Sequence, residues 1–79
     1  MTISNYVFWL REMPTRPGPD GWISAHVLAE RLGVKPNHGT RAMRQMRALG
    51  FVESGELDLC RNRLYRITGA GLKALRAAR

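Results

Sequence analysis

The sequence predicts a small α+β domain, mainly helical, with a three-helix core, a two-stranded β ribbon and a short C-terminal helix. Three observations point to it. Apolar residues recur at helical spacing in three segments before Gly50. Short β-type runs follow between Phe51 and Thr68. The chain has 79 residues, enough for one core that buries only about 60% of the unfolded surface. Residues 1–79 are read as a single domain with little room for a deep catalytic cleft.

The first helical segment is ISNYVFWLREM, in which Ile3, Tyr6, Val7 and Leu10 share a stripe and Thr2 or Ser4 is available as a cap. Phe8 and Trp9 fall elsewhere on this helix. Such a second apolar surface packs under a later helix or, less commonly, against a second subunit, so a homodimer is one expectation. PTRPGPDG at 14–21 is a Pro- and Gly-rich connector. Trp22 and Ile23 predict a very short strand. Ser24 then N-caps SAHVLAERLG, a helix with Ala25, Leu28, Ala29 and Leu32 on one face and Gly33 at its end. VKP makes a tight turn, with Pro36 in the first turn of the next helix, where its missing N–H costs nothing.

Placed on a helix at roughly 100° per residue, residues 37–49 divide into two faces. Ala42, Met43, Met46 and Leu49 gather on the core side, while Asn37, Thr40, Arg41, Arg44 and Arg47 fan across the other. Gly50 ends the helix. FVES, LDLC and LYRIT then supply the β-type runs. A three-residue connection, Arg61, Asn62 and Arg63, predicts a pairing that sets Leu57, Leu59, Tyr65 and Ile67 on one face and makes the tip basic. Thr68 caps GAGLKALRAAR, whose Leu72 and Leu75 share a face, although Gly69 and Gly71 weaken its first turn.

Charge is the strongest functional signal. Thirteen Lys and Arg stand against six Asp and Glu, a formal net charge of +7 with a pI of about 11.1. The acids are Glu12, Asp20, Glu30, Glu53, Glu56 and Asp58, so the stretches 31–47 and 59–79 carry bases alone. Charge serving only solubility would be interleaved. A solvated helix face likewise alternates Glu with Lys or Arg at i, i+4, and the third helix has no acid at all. The expected partner is a nucleic acid. Arginines beside Asn and Thr, on a helix introduced by a tight turn, suit major-groove reading: Arg to guanine, Asn to adenine, Thr to a phosphate or base edge. Arg61 and Arg63 would reach a phosphate or the minor groove, with Glu53, Glu56 and Asp58 held away from the polyanion.

Other classes are disfavoured. No apolar run approaches the roughly 18 residues that span a bilayer, and the N-terminus lacks a leader pattern, which predicts a cytoplasmic protein with no membrane partner. Cys60, the lone cysteine, reads as a structural thiol. His26 and His38 stand twelve apart without a carboxylate or cysteine constellation, and the glycines match no phosphate-binding loop. No catalytic residue, metal or cofactor is expected, and the chain does not read as an enzyme.

This order of elements resembles the winged helix-turn-helix family, specifically the small MarR- and PadR-like transcriptional regulators, over nearly the whole chain. LAERLGVKPNHGTRAMRQMRALGFVE looks like the family's helix-turn-recognition-helix run, which ends in Leu-x-x-Gly-Leu-Val-Glu. YRITGAG looks like the Tyr-x-Leu-Thr-x-x-Gly that closes the wing. The resemblance implies a recognition helix whose Asn37, His38, Thr40, Arg41 and Arg44 face base edges, with Lys35, Arg47, Arg61, Asn62 and Arg63 on the DNA backbone. Gly39 stands where the family usually has a branched apolar residue, which predicts a looser start to that helix. The long terminal helices with which many relatives dimerise are not seen, nor is a pocket for a small-molecule effector, so ligand sensing is not expected.

The implied function is sequence-specific binding of double-stranded DNA by a bacterial or phage transcriptional regulator. Repression is favoured, since a compact domain without an activation segment acts most simply by covering a promoter. The alternative from another class is a protein-interaction module, such as a small phage-encoded inhibitor, because fold does not fix function. RNA binding would call for exposed aromatics on a sheet, and the single candidate, Tyr65, reads as buried.

Overall fold

A computed structural model describes residues 3–16 and 18–77. The elements run α1 (Ile3–Leu10), a 3-10 turn (Gly18–Gly21), β1 (Ile23–Ser24), α2 (Ala25–Leu32), α3 (Pro36–Ala48), β2 (Val52–Leu57), β3 (Arg63–Ile67) and α4 (Gly69–Ala77). This is the expected α+β class. The ribbon gains a third strand, because β1 pairs antiparallel with β3 to give the order β1-β3-β2.

Cap and turn residues mark several helix ends. In α2 the Ser24 side chain accepts from the Val27 N–H, and Gly33, in the left-handed region at φ 71, closes the C-terminus by donating to Ala29 and Glu30. Ser24 is both the last residue of β1 and the cap of α2, so the short strand is Ile23–Ser24 and Trp22 precedes it. Pro36 opens α3, and Gly50 at φ 83 follows its C-cap Leu49. The Thr68 hydroxyl accepts from the Gly71 N–H at 3.1 Å, capping α4 as expected. For α1, Thr2 and the side chains of Ile3 and Ser4 lie outside the described residues.

The core sits where α1, α2, α3 and α4 meet one face of the sheet. Leu10, Leu28, Met43 and Met46 are wholly buried, with Tyr6, Val7, Ile23, Val52, Tyr65, Ile67 and Leu75 around them. Burying one such aliphatic side chain contributes roughly 1.5–3 kcal/mol. Trp9 packs partly against this cluster, while Phe8 is left exposed with its ring edge-on to Trp9 at 5.9 Å. The second apolar surface of α1 is therefore half absorbed within the chain. Leu49 departs from expectation: it is 51% exposed, because α3 ends at Ala48 and Gly50 turns the chain before Leu49 can reach the core.

The ribbon departs further. Val52 pairs with Ile67 and Ser54 with Tyr65, but Leu57 pairs with Arg63, so β2 carries one extra residue between Ser54 and Leu57. This bulge spans Gly55, which any side chain would drive into Trp22: an added Cβ would stand 2.5 Å from the indole. The Asp58 carboxylate then accepts from the Cys60 and Asn62 N–H groups, at 2.8 Å each, and closes a turn that ends β2 at Leu57. The connection is thus longer than the expected three residues. Leu57, opposite Arg63, falls on the Tyr65 side of the ribbon but does not join the buried Tyr65 and Ile67, and Leu59 lies in the turn; they are 50% and 104% exposed.

Two glycines have packing roles that the sequence reading assigned otherwise. Gly39 is buried where α3 crosses α2, and an added Cβ would lie 2.5 Å from the Ala25 carbonyl oxygen and 2.9 Å from the Ala29 Cβ. The start of α3 is seated directly on the α2 backbone. At Gly71 an added Cβ would collide with the Phe51 carbonyl and with Ile67, so this glycine lets α4 lie against the end of β3. Helix propensity alone would make Gly39→Ala stabilising by about 1 kcal/mol. Backbone crowding predicts the opposite sign, a loss of about 1–3 kcal/mol, read as a Tm drop of roughly 4–8 °C per kcal/mol; a raised Tm would contradict this helix contact.

Candidate nucleic-acid interface

Helix α3 buries Gly39, Ala42, Met43 and Met46, and that commitment turns its other face outward. Asn37, His38, Thr40, Arg41, Arg44 and Arg47 are all exposed, as is Lys35 at the N-cap. The nearest acid along the chain after Glu30 is Glu53, so no carboxylate of α3 competes for these guanidinium groups. Like charges at helical spacing cost only a few tenths of a kcal/mol, which the buried face easily offsets.

The expected contact residues do not form one patch. Asn37, Thr40, Arg41 and Arg44 line a shallow hollow of about 370 Å³. His38 instead borders, with Arg41, a hollow of about 250 Å³ walled by Trp9, Ala42 and Gln45, on the flank of α3 that faces α1. Lys35 and Arg47 stand apart, at the N-cap and in the last turn. A third hollow, of about 240 Å³, lies between α3 and the ribbon, where Thr40 and Arg44 meet Arg61, Asn62 and Arg63. Thr40 and Arg44 thus belong to both the helix face and the ribbon cleft. The Thr40 hydroxyl donates to the Pro36 carbonyl at 3.4 Å, which leaves it lone pairs with which to accept.

The ribbon, or wing, presents its basic tip through two devices. Side chains alternate along β3, so Arg63 shares a face with Tyr65 and Ile67, both buried, and is directed to the α3 side. Its Nη1 donates to the Gly55 carbonyl at 2.8 Å, which steadies the side chain and leaves other guanidinium donors free. Arg61 is held at φ 63 within the Asp58 turn, donating its N–H to the Asp58 carbonyl at 3.0 Å. Asp58 itself was expected to keep away from a polyanion. It lies at the tip beside the arginines, with a carboxylate oxygen turned onto backbone N–H groups. Glu53 and Glu56 are exposed on β2.

The sequence offers His26 only as half of a metal or catalytic pair with His38, and the fold gives it another setting. It lies in the first turn of α2 and borders the cleft with Arg44, Arg61 and Arg63. The available signal was positional: Ser24 pairs with Leu64, which carries the residues just after Ser24 to the wing. Among the described residues, no group of three or more His, Cys, Asp or Glu is placed to hold a metal, and no helix is long and apolar enough to cross a membrane. Cys60 is exposed in the wing turn, not buried as a structural thiol would be.

These placements separate stability from surface chemistry. Asp58→Ala should speed amide hydrogen exchange at Cys60 and Asn62 and cost about 1 kcal/mol, whereas Arg44→Ala should shift stability by no more than about 0.5 kcal/mol. Thermal melts and residue-resolved exchange check both; slow exchange at those amides in the Asp58 variant would remove the carboxylate from the turn.

No protein-family model and no curated protein matches the sequence. Solved structures match it well. The PcaV transcriptional regulator from Streptomyces coelicolor, in complex with its natural ligand, superposes with a TM-score of 0.71 at 22% identity, over 96% of this chain and 51% of that one. The M. tuberculosis transcriptional regulator MosR gives 0.68 at 27% identity, over 99% and 53%. A mutant of Lactococcus lactis ZitR in complex with DNA gives 0.62 at 13%, over 94% and 45%. The chain spans about half the length of each. It has the winged helix-turn-helix fold, and the resemblance to MarR-like transcriptional regulators carried by its sequence extends to its three-dimensional structure.

Proposed function

We propose that residues 1–79 act as one domain that binds double-stranded DNA in a sequence-dependent way and regulates transcription from the cytoplasm. The observation that carries this reading is the acid-free basic face of α3, continuous through Thr40 and Arg44 with the basic cleft of the wing. In this reading Asn37, Thr40, Arg41 and Arg44 meet base edges in the major groove, with His38 at the flank. Lys35, Arg47, Arg61, Asn62 and Arg63 hold phosphates. Arg44 is the principal reader, since a bidentate Arg–guanine pair discriminates by about 1–3 kcal/mol. Repression, by covering a promoter, is the proposed sign. A homodimer would present two copies of α3 to half-sites about one helical turn apart.

Selection from random duplex DNA tests the reading most directly, by enriching one motif. Affinity should fall with salt at a log–log slope near −4.5 if about five phosphates are neutralised; a slope near zero would show that the basic segments do not touch DNA. Arg44→Ala should cost roughly 1–3 kcal/mol on the selected site and relax preference at adjacent base pairs, with random-duplex affinity nearly unchanged. Arg61→Ala with Arg63→Ala should weaken selected and random duplexes by a similar factor, because backbone contacts position without specifying.

A further inference from the structure

The cleft between α3 and the wing contains one side chain to which the proposed reading gives no task. His26 reaches it from α2, joining Thr40 and Arg44 of α3 and Arg61, Asn62 and Arg63 of the wing. Three separate elements therefore converge on a space of about 240 Å³. Their convergence follows from the sheet: β1 pairs with β3, and Ser24 passes directly from that strand into α2. The cleft's lining includes Arg61, Asn62, Arg63 and His26, all residue types able to donate, beside Arg44, which the proposed reading directs to base edges. Among the described residues no carboxylate lines it. A solvent-open site with many donors and no acid suits a phosphate group, for which Arg geometry is matched.

We infer that this cleft seats a phosphate of the DNA backbone and that His26 is one of its ligands as imidazolium, so that DNA binding takes up a proton and tightens as pH falls. This rests on the reading that α3 and the wing straddle duplex DNA.

The electrostatic surroundings set the sign. Arg44 of α3, Arg61 and Arg63 of the wing and Tyr65 of β3 line the same cleft as His26. On its own helix, Glu30 stands one turn away, and Asp58 of the wing turn is engaged with the Cys60 and Asn62 N–H groups. A bound phosphate, as an anion, favours a charged imidazole beside it. Imidazole is the side chain that changes charge between pH 5 and 8, so the proton is acquired there on binding.

The chain has two histidines, which makes the test clean. Duplex affinity would be measured between pH 8 and pH 6 at constant salt for the unsubstituted protein, His26→Gln and His38→Gln, with thermal melts to show that each variant is folded. The unsubstituted protein should tighten by roughly three- to tenfold, tenfold corresponding to one pKa unit of differential interaction. His26→Gln should lose most of that slope, and His38→Gln should keep it whatever its affinity. A slope that survives in His26→Gln, or vanishes in His38→Gln, overturns the assignment. A second arm follows the His26 ring signals by NMR as inorganic phosphate is added to the free domain. A saturable shift, weakened by Arg61→Ala, supports an anion seat. A shift without any effect of His26→Gln on DNA would mean that the seat takes free phosphate and not the backbone, which also overturns the proposal. If the unsubstituted protein shows no salt-dependent duplex binding, the DNA-binding reading fails by itself, and the phosphate titration still decides the seat.

Discussion

The close crossing of α2 and α3 governs the rest of the structure. Gly39 has no side chain, so the first turn of α3 approaches the Ala25 carbonyl and the Ala29 methyl directly. That separation lets Leu28 meet Met43 and Met46 in one dry cluster. With the two methionines turned inward, the arginines at the intervening helical positions have no direction but outward. The charge pattern of α3 is therefore a consequence of its packing. The same glycine that looks like a weak start to a helix is the residue that brings α3 to its partner.

Around this pair the sheet decides what the exposed face of α3 has for company. Pairing of β1 with β3 ties the start of α2 to the wing, and the Thr68 hydroxyl, donating to the Gly50 carbonyl, closes the far end of the ribbon onto the end of α3. The wing is consequently anchored at both sides of its base while its tip projects. Asp58 shapes that tip from within, since its carboxylate organises the backbone that carries Arg61 and Asn62. An acidic residue thus supports the presentation of basic ones. Trp22 completes the outer face, covering Gly55 and receiving the Arg66 guanidinium at 5.3 Å from its ring centre.

Regulators about twice as long share this backbone arrangement over roughly half of their length. Identities between 13% and 27% sit beside TM-scores above 0.6. The backbone likeness survives because it needs only apolar residues at the right spacing, small residues at the helix crossing and turn residues at the caps. Exposed side chains escape those demands.

By itself the sequence determined whatever depends on neighbours along the chain. Ser24, Gly33, Gly50 and Thr68 mark helix ends through hydrogen bonds that reach no more than a few residues, and Pro36 marks one through its fixed φ and missing N–H. The period of Ala42, Met43 and Met46 against Arg41, Arg44 and Arg47 gave the two faces of α3, and with them most of the candidate site. Only the tertiary structure decided what depends on distant partners. The register of β2 turns on a bulge accommodated beneath Trp22, a residue far away in the chain, and that extra residue sets which residue of β3 Leu57 opposes. The role of Gly39 depends on Ala25, that of Gly71 on Phe51, and the place of His26 in the wing cleft on a strand pair that local propensity does not encode. Side-chain identity and spacing carry local hydrogen bonding and amphipathicity; the meeting of separate elements is settled by how their backbones can close together.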